Sequence, residues 1–123
     1  MTKIIHDSAD TILKNVVKAM QDKKAKNIVS LDLSNISNSV TGYFVICDAP
    51  SNIQVNAIYE NVVEIVKKNC GIRPYHVEGV TNSEWILLDY FDLVVHIFDD
   101  KTRAFYKLEE LWADAPKTVY KSD

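Results

Sequence analysis

Apolar residues near the start of the chain recur at helical spacing: Ile5, Ala9, Ile12, Leu13, Val16, Val17 and Met20 fall on one face. The pattern predicts a first helix, with Asp7 or Ser8 placed to cap its N-terminus. Lys14, Lys18, Lys23, Lys24 and Lys26 then mark its solvated side and exit, with a basic contact patch as the rival reading. Ile28 to Leu33 reads as a strand, followed by a polar loop (SNISNS), and Tyr43 to Cys47 as a second strand rich in β-branched and aromatic residues. Ser51 opens a second helix as N-cap, and Gln54 completes a capping-box pattern. Val55, Ile58, Tyr59, Val62, Val63 and Val66 form its buried stripe, and Gly71 supplies the left-handed residue that ends it. Three further strands are predicted over Ile72 to Val77, Trp85 to Tyr90 and Leu93 to Phe98. A last helix runs from Asp99 or Asp100 to Trp112, with Phe105, Leu108, Leu111 and Trp112 turned inward. Lys117 to Asp123 reads as a frayed tail.

The order α-β-β-α-β-β-β-α implies an α/β fold in which helices flank a mixed sheet of about five strands. A single domain over residues 1–112 and a C-terminal tail over 113–123 account for the whole chain. Strands Trp85–Tyr90 and Leu93–Phe98 are joined by Phe91-Asp92, and a two-residue hairpin sets 90 opposite 93, 88 opposite 95 and 86 opposite 97. Alternation then puts Ile86, Leu88, Tyr90, Leu93, Val95 and Ile97 on one hydrocarbon face, which is core. The other face collects Trp85, Leu87, Asp89, Val94, His96 and Phe98, with Asp89 diagonal to His96 and within reach of it. Such a mixed face suits an interface with Trp85 as anchor. It equally suits a covered face on which Asp89 and His96 form an internal pair.

The 123 residues carry a formal net charge of −3, so no global positive field draws the chain to RNA or acidic lipid. A basic protein partner is the better expectation. Cys47 and Cys70 form no spaced cluster and read as reduced thiols, although one disulfide between them stays open. The N-terminus lacks a signal-peptide core and no apolar run is long enough for a membrane span, so a cytoplasmic location is expected.

Enzyme chemistry finds little support. Gly42, Gly71 and Gly79 are scattered, with no phosphate-cradling loop, and Asp92, Asp99 and Asp100 suit turns and caps. His76 and Glu78 make an H-x-E without the cysteine pair of a zinc deaminase, and Cys70, His76 and His96 lack recognised zinc spacing. No cofactor or metal is expected. Tyr43, Tyr75, Trp85 and Tyr106 offer stacking surfaces for bases, but few cations accompany them. Arg103 and Lys107, on the outer side of the last helix, are available for a minor RNA contact or for pairing with Glu110 in solvent.

The run Glu78 to Trp112 (EGVTNSEWILLDYFDLVVHIFDDKTRAFYKLEELW) carries a resemblance. Together with Leu31-Asp32, Thr41 to Cys47, Ser51 and Val55, it is similar to the ribosomal silencing factor (RsfS/Iojap-like) family, over roughly Ile12 to Trp112. The resemblance implies a fold like that of nucleotidyltransferases without their catalytic site. It implies binding to the large ribosomal subunit through a ribosomal protein at the intersubunit face, the fourteenth of that subunit. Docking there blocks the small subunit and represses translation when nutrients are short; free members of the family form homodimers. A nucleotidyltransferase-like nucleotide-binding enzyme is the alternative. The expected ribosomal-protein-binding patch is Trp85, Asp89, Val94, His96 and Phe98, extended by Arg103 and Tyr106. The chain departs from the family at Gly42, where an Asp is usual, and at Phe91, where a Gly is usual. A bulky residue at a tight turn resists positive φ, so Phe91 puts the hairpin register in question.

Overall fold

A computed structural model describes residues 9–36 and 41–122. The proposed caps Asp7 and Ser8, Ile5 and part of the polar loop lie outside the described residues.

Helix α1 (Ala9–Asp22) and helix α2 (Asn52–Cys70) are the two long helices. The predicted stripes are largely the buried ones: Ile12, Leu13, Val16, Val17 and Met20 on α1, and Val55, Ile58, Val62 and Val66 on α2, with Tyr59 and Val63 half-buried at the edge of the second. Ser51 caps α2, its hydroxyl accepting from the Gln54 amide at 3.2 Å, and Gly71 closes it at φ 73. The reciprocal half of the capping box is absent. The Gln54 side chain instead donates to the carbonyls of Lys23 and Lys24, fastening α2 to the turn that leaves α1.

The strands are β1 (Lys26–Asp32), β2 (Tyr43–Ala49), β3 (His76–Glu78), β4 (Trp85–Asp89), β5 (Leu93–Asp99) and β6 (Lys117–Val119). They form one six-stranded sheet in the order β3-β4-β5-β2-β1-β6. Only β2 and β5, at its centre, run parallel; every other pair is antiparallel. The expected frayed tail is therefore in part an edge strand: Lys117 to Val119 pairs with Leu31 to Val29. At the opposite edge the expected strand Ile72 to Val77 shortens to His76–Glu78, with Pro74 just before it.

Both long helices pack on one face of the sheet, over Val45, Cys47, Ala49, Ile86, Leu88, Val95 and Ile97. The other face carries a smaller cluster of Val29, Leu31, Leu33, Ile46 and Phe98, covered by Leu108 and Ala115 from the C-terminal segment. That segment is not one helix. Lys107, at φ 50 and ψ 48, ends α3 (Asp100–Tyr106) and precedes the short α4 (Leu108–Leu111). The break changes the phase of the apolar positions. Leu108 is buried and Trp112 half-buried, whereas Phe105 and Leu111, expected inward, are 78% and 75% exposed.

The hairpin register is the predicted one, with Ile86 opposite Ile97 and Leu88 opposite Val95. Phe91 nevertheless adopts φ 78, and the Asp92 amide donates to the Tyr90 carbonyl at 3.1 Å, the i to i+2 bond of a γ-turn. Such a backbone costs a non-glycine residue about 1–3 kcal/mol. Neighbouring groups hold it: Asp89 Oδ1 accepts from the Phe91 amide at 2.8 Å, and Thr41 Oγ1 donates to the Phe91 carbonyl at 3.0 Å. The amides of Gly42 and Tyr43 both donate to the Asp92 carbonyl. A turn that local propensity disfavours is thus fixed by tertiary hydrogen bonds.

Ile97→Ala in the fully buried helix-side core should cost about 2–5 kcal/mol, whereas Phe105→Ala should fall within about 0.5 kcal/mol of the parent. Urea unfolding of the two variants checks this, and equal losses would contradict the placement of Phe105.

Candidate functional site

On the face left open by α1 and α2, rings from distant parts of the chain meet around Trp85. The indole stacks on Phe98 at 4.8 Å and lies 5.0 Å from the Tyr106 ring, centroid to centroid. Its Nε1 donates to His96 Nδ1 at 3.0 Å. Phe44 meets the His96 ring edge-on at 4.5 Å and reaches Trp112 at 5.8 Å. Strand pairing explains the assembly: Trp85 opposes Phe98 across β4–β5, and Phe44 and Ile46 pair with Val94 and His96 across β2–β5. Gly79 is part of the support. At φ 88 it passes so close to Trp85 that a Cβ there would lie 2.0 Å from the Trp85 carbonyl oxygen. Only glycine allows that approach.

His96 is buried and neutral. Burial pushes its pKa down to about 3. Because Nδ1 accepts from the indole, the ring proton sits on Nε2, which is buried with no hydrogen-bond partner. The expected Asp89–His96 pair does not form. The diagonal placement is as predicted, with Leu87 opposite His96 and Asp89 opposite Val94, but the Asp89 carboxylate is used on the Phe91 amide. His96 and Phe98 are buried, while Trp85, Asp89 and Val94 are half-buried and Tyr106 is 53% exposed.

Arg103, expected on the outside of the last helix, is an internal clamp with 11% of its side chain exposed. Nε and Nη2 bond the two Glu109 oxygens at 3.1 and 2.7 Å, and Nη1 donates to the Asn27 carbonyl at 2.6 Å and to Asp48 Oδ2 at 3.1 Å. Burial alone would lower the Arg103 pKa, but the hydrogen bond and charge of Glu109, with the charge of Asp48, raise it overall. Asn27 is available because β1 is irregular between Lys26 and Val29, with Asn27 at φ 51. Its side-chain amide also donates to Asp48. Asn27, Asp48 and Glu109 do not stand out in the sequence as partners of Arg103, nor Phe44 as the ring that bridges His96 and Trp112. Their meeting depends on the parallel β2–β5 pairing and the β1 irregularity.

The remaining candidates separate. Cys47 and Cys70 form no disulfide, and burial raises the Cys47 pKa far above the ordinary thiol range. Cys70 packs on the helix side of the sheet and His96 on the other, which divides the imagined zinc set. Among the described residues no His, Cys, Asp or Glu group is arranged to hold a metal ion, and no helix is long and apolar enough to cross a membrane. His76 Nε2 lies 2.6 Å from Glu78 on the exposed edge strand, and Asp99 caps α3 by accepting from the Thr102 amide.

The profile of the family described as "Ribosomal silencing factor during starvation" matches residues 6–123. The chain belongs to the ribosomal silencing factor family. The protein named ribosomal silencing factor RsfS in Bacillus subtilis is 42% identical over 106 residues, spanning 86% of this chain and 88% of that one. The one of the same name in Halalkalibacterium halodurans is 38% identical over 109 residues, spanning 89% and 92%. A crystal structure of a Chromobacterium violaceum protein superposes with a TM-score of 0.82 at 32% identity, covering 87% of this chain and 88% of that one. The fold of this silencing-factor chain therefore recurs in an experimental structure, and the resemblance carried by Glu78 to Trp112 extends to nearly the whole sequence.

Two measurements test the geometry. Arg103→Leu leaves Asp48 buried without its cation, and urea unfolding should show a loss of about 3–5 kcal/mol; a loss near zero would contradict the clamp. The depressed His96 pKa gives a second prediction. Its stabilising contribution is complete above the unfolded-state value of about 6.5 and is lost as pH falls toward about 3, by at most about 1.4 kcal/mol per pH unit. The stability advantage of the parent over His96→Asn should therefore narrow between pH 7 and pH 4.5, and a constant gap would refute a neutral buried imidazole.

Proposed function

We propose that this chain represses translation by binding the large ribosomal subunit and obstructing the small one, with no covalent chemistry. The observation that carries the reading is the Trp85–Tyr106 aromatic shelf, on the sheet face that the two long helices leave open. A half-buried indole beside an exposed phenol, with Asp89 and Val94 further along the same face, has the make-up of a protein-binding surface. Kinship with proteins named ribosomal silencing factor supports reading that surface as the one that meets a ribosome.

The partner in this reading is the fourteenth protein of the large subunit, at its intersubunit face, met in the cytoplasm. Trp85, Asp89, Val94 and Tyr106 make the contact. His96, Phe98 and Arg103 act from beneath, His96 by fixing the indole and Arg103 by holding the segment that carries Tyr106. A chain of net charge −3 favours a basic protein surface, and any rRNA contact is minor and falls to Lys107 at the rim. The free protein is a homodimer in this reading, and if pairing uses the same face, subunit binding and self-association compete. The carboxylates that a nucleotidyltransferase-like alternative would draw on have structural roles: Asp89 secures the turn and Asp99 caps α3.

Sedimentation with purified ribosomal subunits tests the proposal. The parent should co-migrate with the large subunit and slow subunit joining. Tyr106→Ala, at an exposed position, should weaken binding about tenfold or more without loss of fold, and Trp85→Ala should do so with some loss of stability. A parent chain that does not co-migrate would sink the reading.

A further inference from the structure

At the end of the sheet where β4 turns into β5, two large rings stand in solvent. Tyr75 is 70% exposed and Phe91 65% exposed, and they stack on each other at 4.5 Å and 29°. Phe91 is held at φ 78, a conformation disfavoured for any residue with a side chain, by bonds from Asp89, Thr41 and the Tyr90–Asp92 turn. The Tyr75 amide is tied to the Asp89 carbonyl at 2.6 Å, so both rings are fixed to the same strand end. A strained backbone that presents an apolar ring to water, locked against a second such ring, gives the folded monomer little in return.

The charges nearby indicate what the stack receives. At this end of the sheet the chain brings Glu78, Asp89 and Asp92 together with Arg73, and His76, opposite Asp89 across β3–β4, lies close to Glu78. Asp89 is bonded to the Phe91 backbone and Asp92 is exposed in the same turn. Nucleic acid would bring phosphates against this negative field. A planar guanidinium is attracted both by ring faces and by carboxylates, and it stacks where a lysine ammonium does so less well.

We propose that the Tyr75–Phe91 stack receives an arginine side chain of a basic protein segment, with Asp89 and Asp92 completing the site. On the ribosome that segment belongs to the protein partner, and this identification rests on the function proposed above. The stack extends the contact beyond the Trp85–Tyr106 shelf to the far end of β4.

The test titrates a hexa-arginine peptide into the full chain and follows the ring resonances of Tyr75 and Phe91, with hexa-lysine and hexauridine as comparison probes. Hexa-arginine should move these resonances with an affinity about threefold or more above that of hexa-lysine, and hexauridine should leave them unmoved. Phe91→Gly should abolish the response while melting at the same or a higher temperature, because glycine relaxes the turn. That combination separates a binding role from a structural one. With large subunits, the same variant should bind about three- to tenfold more weakly than the parent. Rings that answer to hexauridine instead of hexa-arginine overturn the proposal, and so does a Phe91→Gly variant that binds peptide or subunits like the parent. A parent that fails to bind large subunits overturns the ribosomal reading, and the peptide titration then decides the arginine site by itself.

Discussion

The Arg103 guanidinium joins parts of the chain that local forces would not bring together. It reaches the irregular turn of β1 through the Asn27 carbonyl, the end of β2 through Asp48, and α4 through Glu109. Helix α3, from which it extends, has no buried residue of its own, and α4 buries only Leu108. These elements are too short to be stable as isolated helices. Their position over the sheet depends on the charge-assisted bonds of Arg103, on Leu108 and Ala115, and on the pairing of β6. Tyr106 lies on the same short helix, so its place beside Trp85 follows from the clamp.

The contrast between the two faces comes from the same arrangement. One face buries the stripes of two long helices and is ordinary core. The other has too little helix to cover it, so burial fades from Phe98 and His96 outward to Val94, Asp89 and Trp85. The imidazole of His96 illustrates the cost of that boundary, since one nitrogen is paired with the indole and the other is left without a partner. A buried neutral histidine makes no pair with Asp89, and the carboxylate instead stabilises the neighbouring turn.

Much of this was legible in the residues. Strict alternation over Trp85–Tyr90 and Leu93–Phe98 set the register even through the unfavourable Phe91, because a slip by one position would have turned a hydrocarbon face to water. The cap at Ser51 and the stop at Gly71 were equally plain, being local. What escaped was non-local. The partners of Arg103 depend on a parallel pairing whose order no periodicity reveals, and a cation at helical spacing reads as solvated until its partners are known. The break at Lys107 hid inside a pattern of apolar residues that an unbroken helix would also satisfy. Lys117 to Val119 is too short and too polar to announce a strand without β1 beside it.

The pairing of β6 with β1 bears on how the molecule is made. Translation proceeds from the N-terminal side, so β1 has left the ribosomal tunnel long before β6 is synthesised, and the core beneath α1 and α2 can form without it. The sheet face that carries Trp85 is different, because its cover arrives with the last elements in the chain order. A nascent chain therefore exposes Val29, Leu31 and Ile46 until Leu108, Ala115 and Lys117–Val119 have emerged and joined that face.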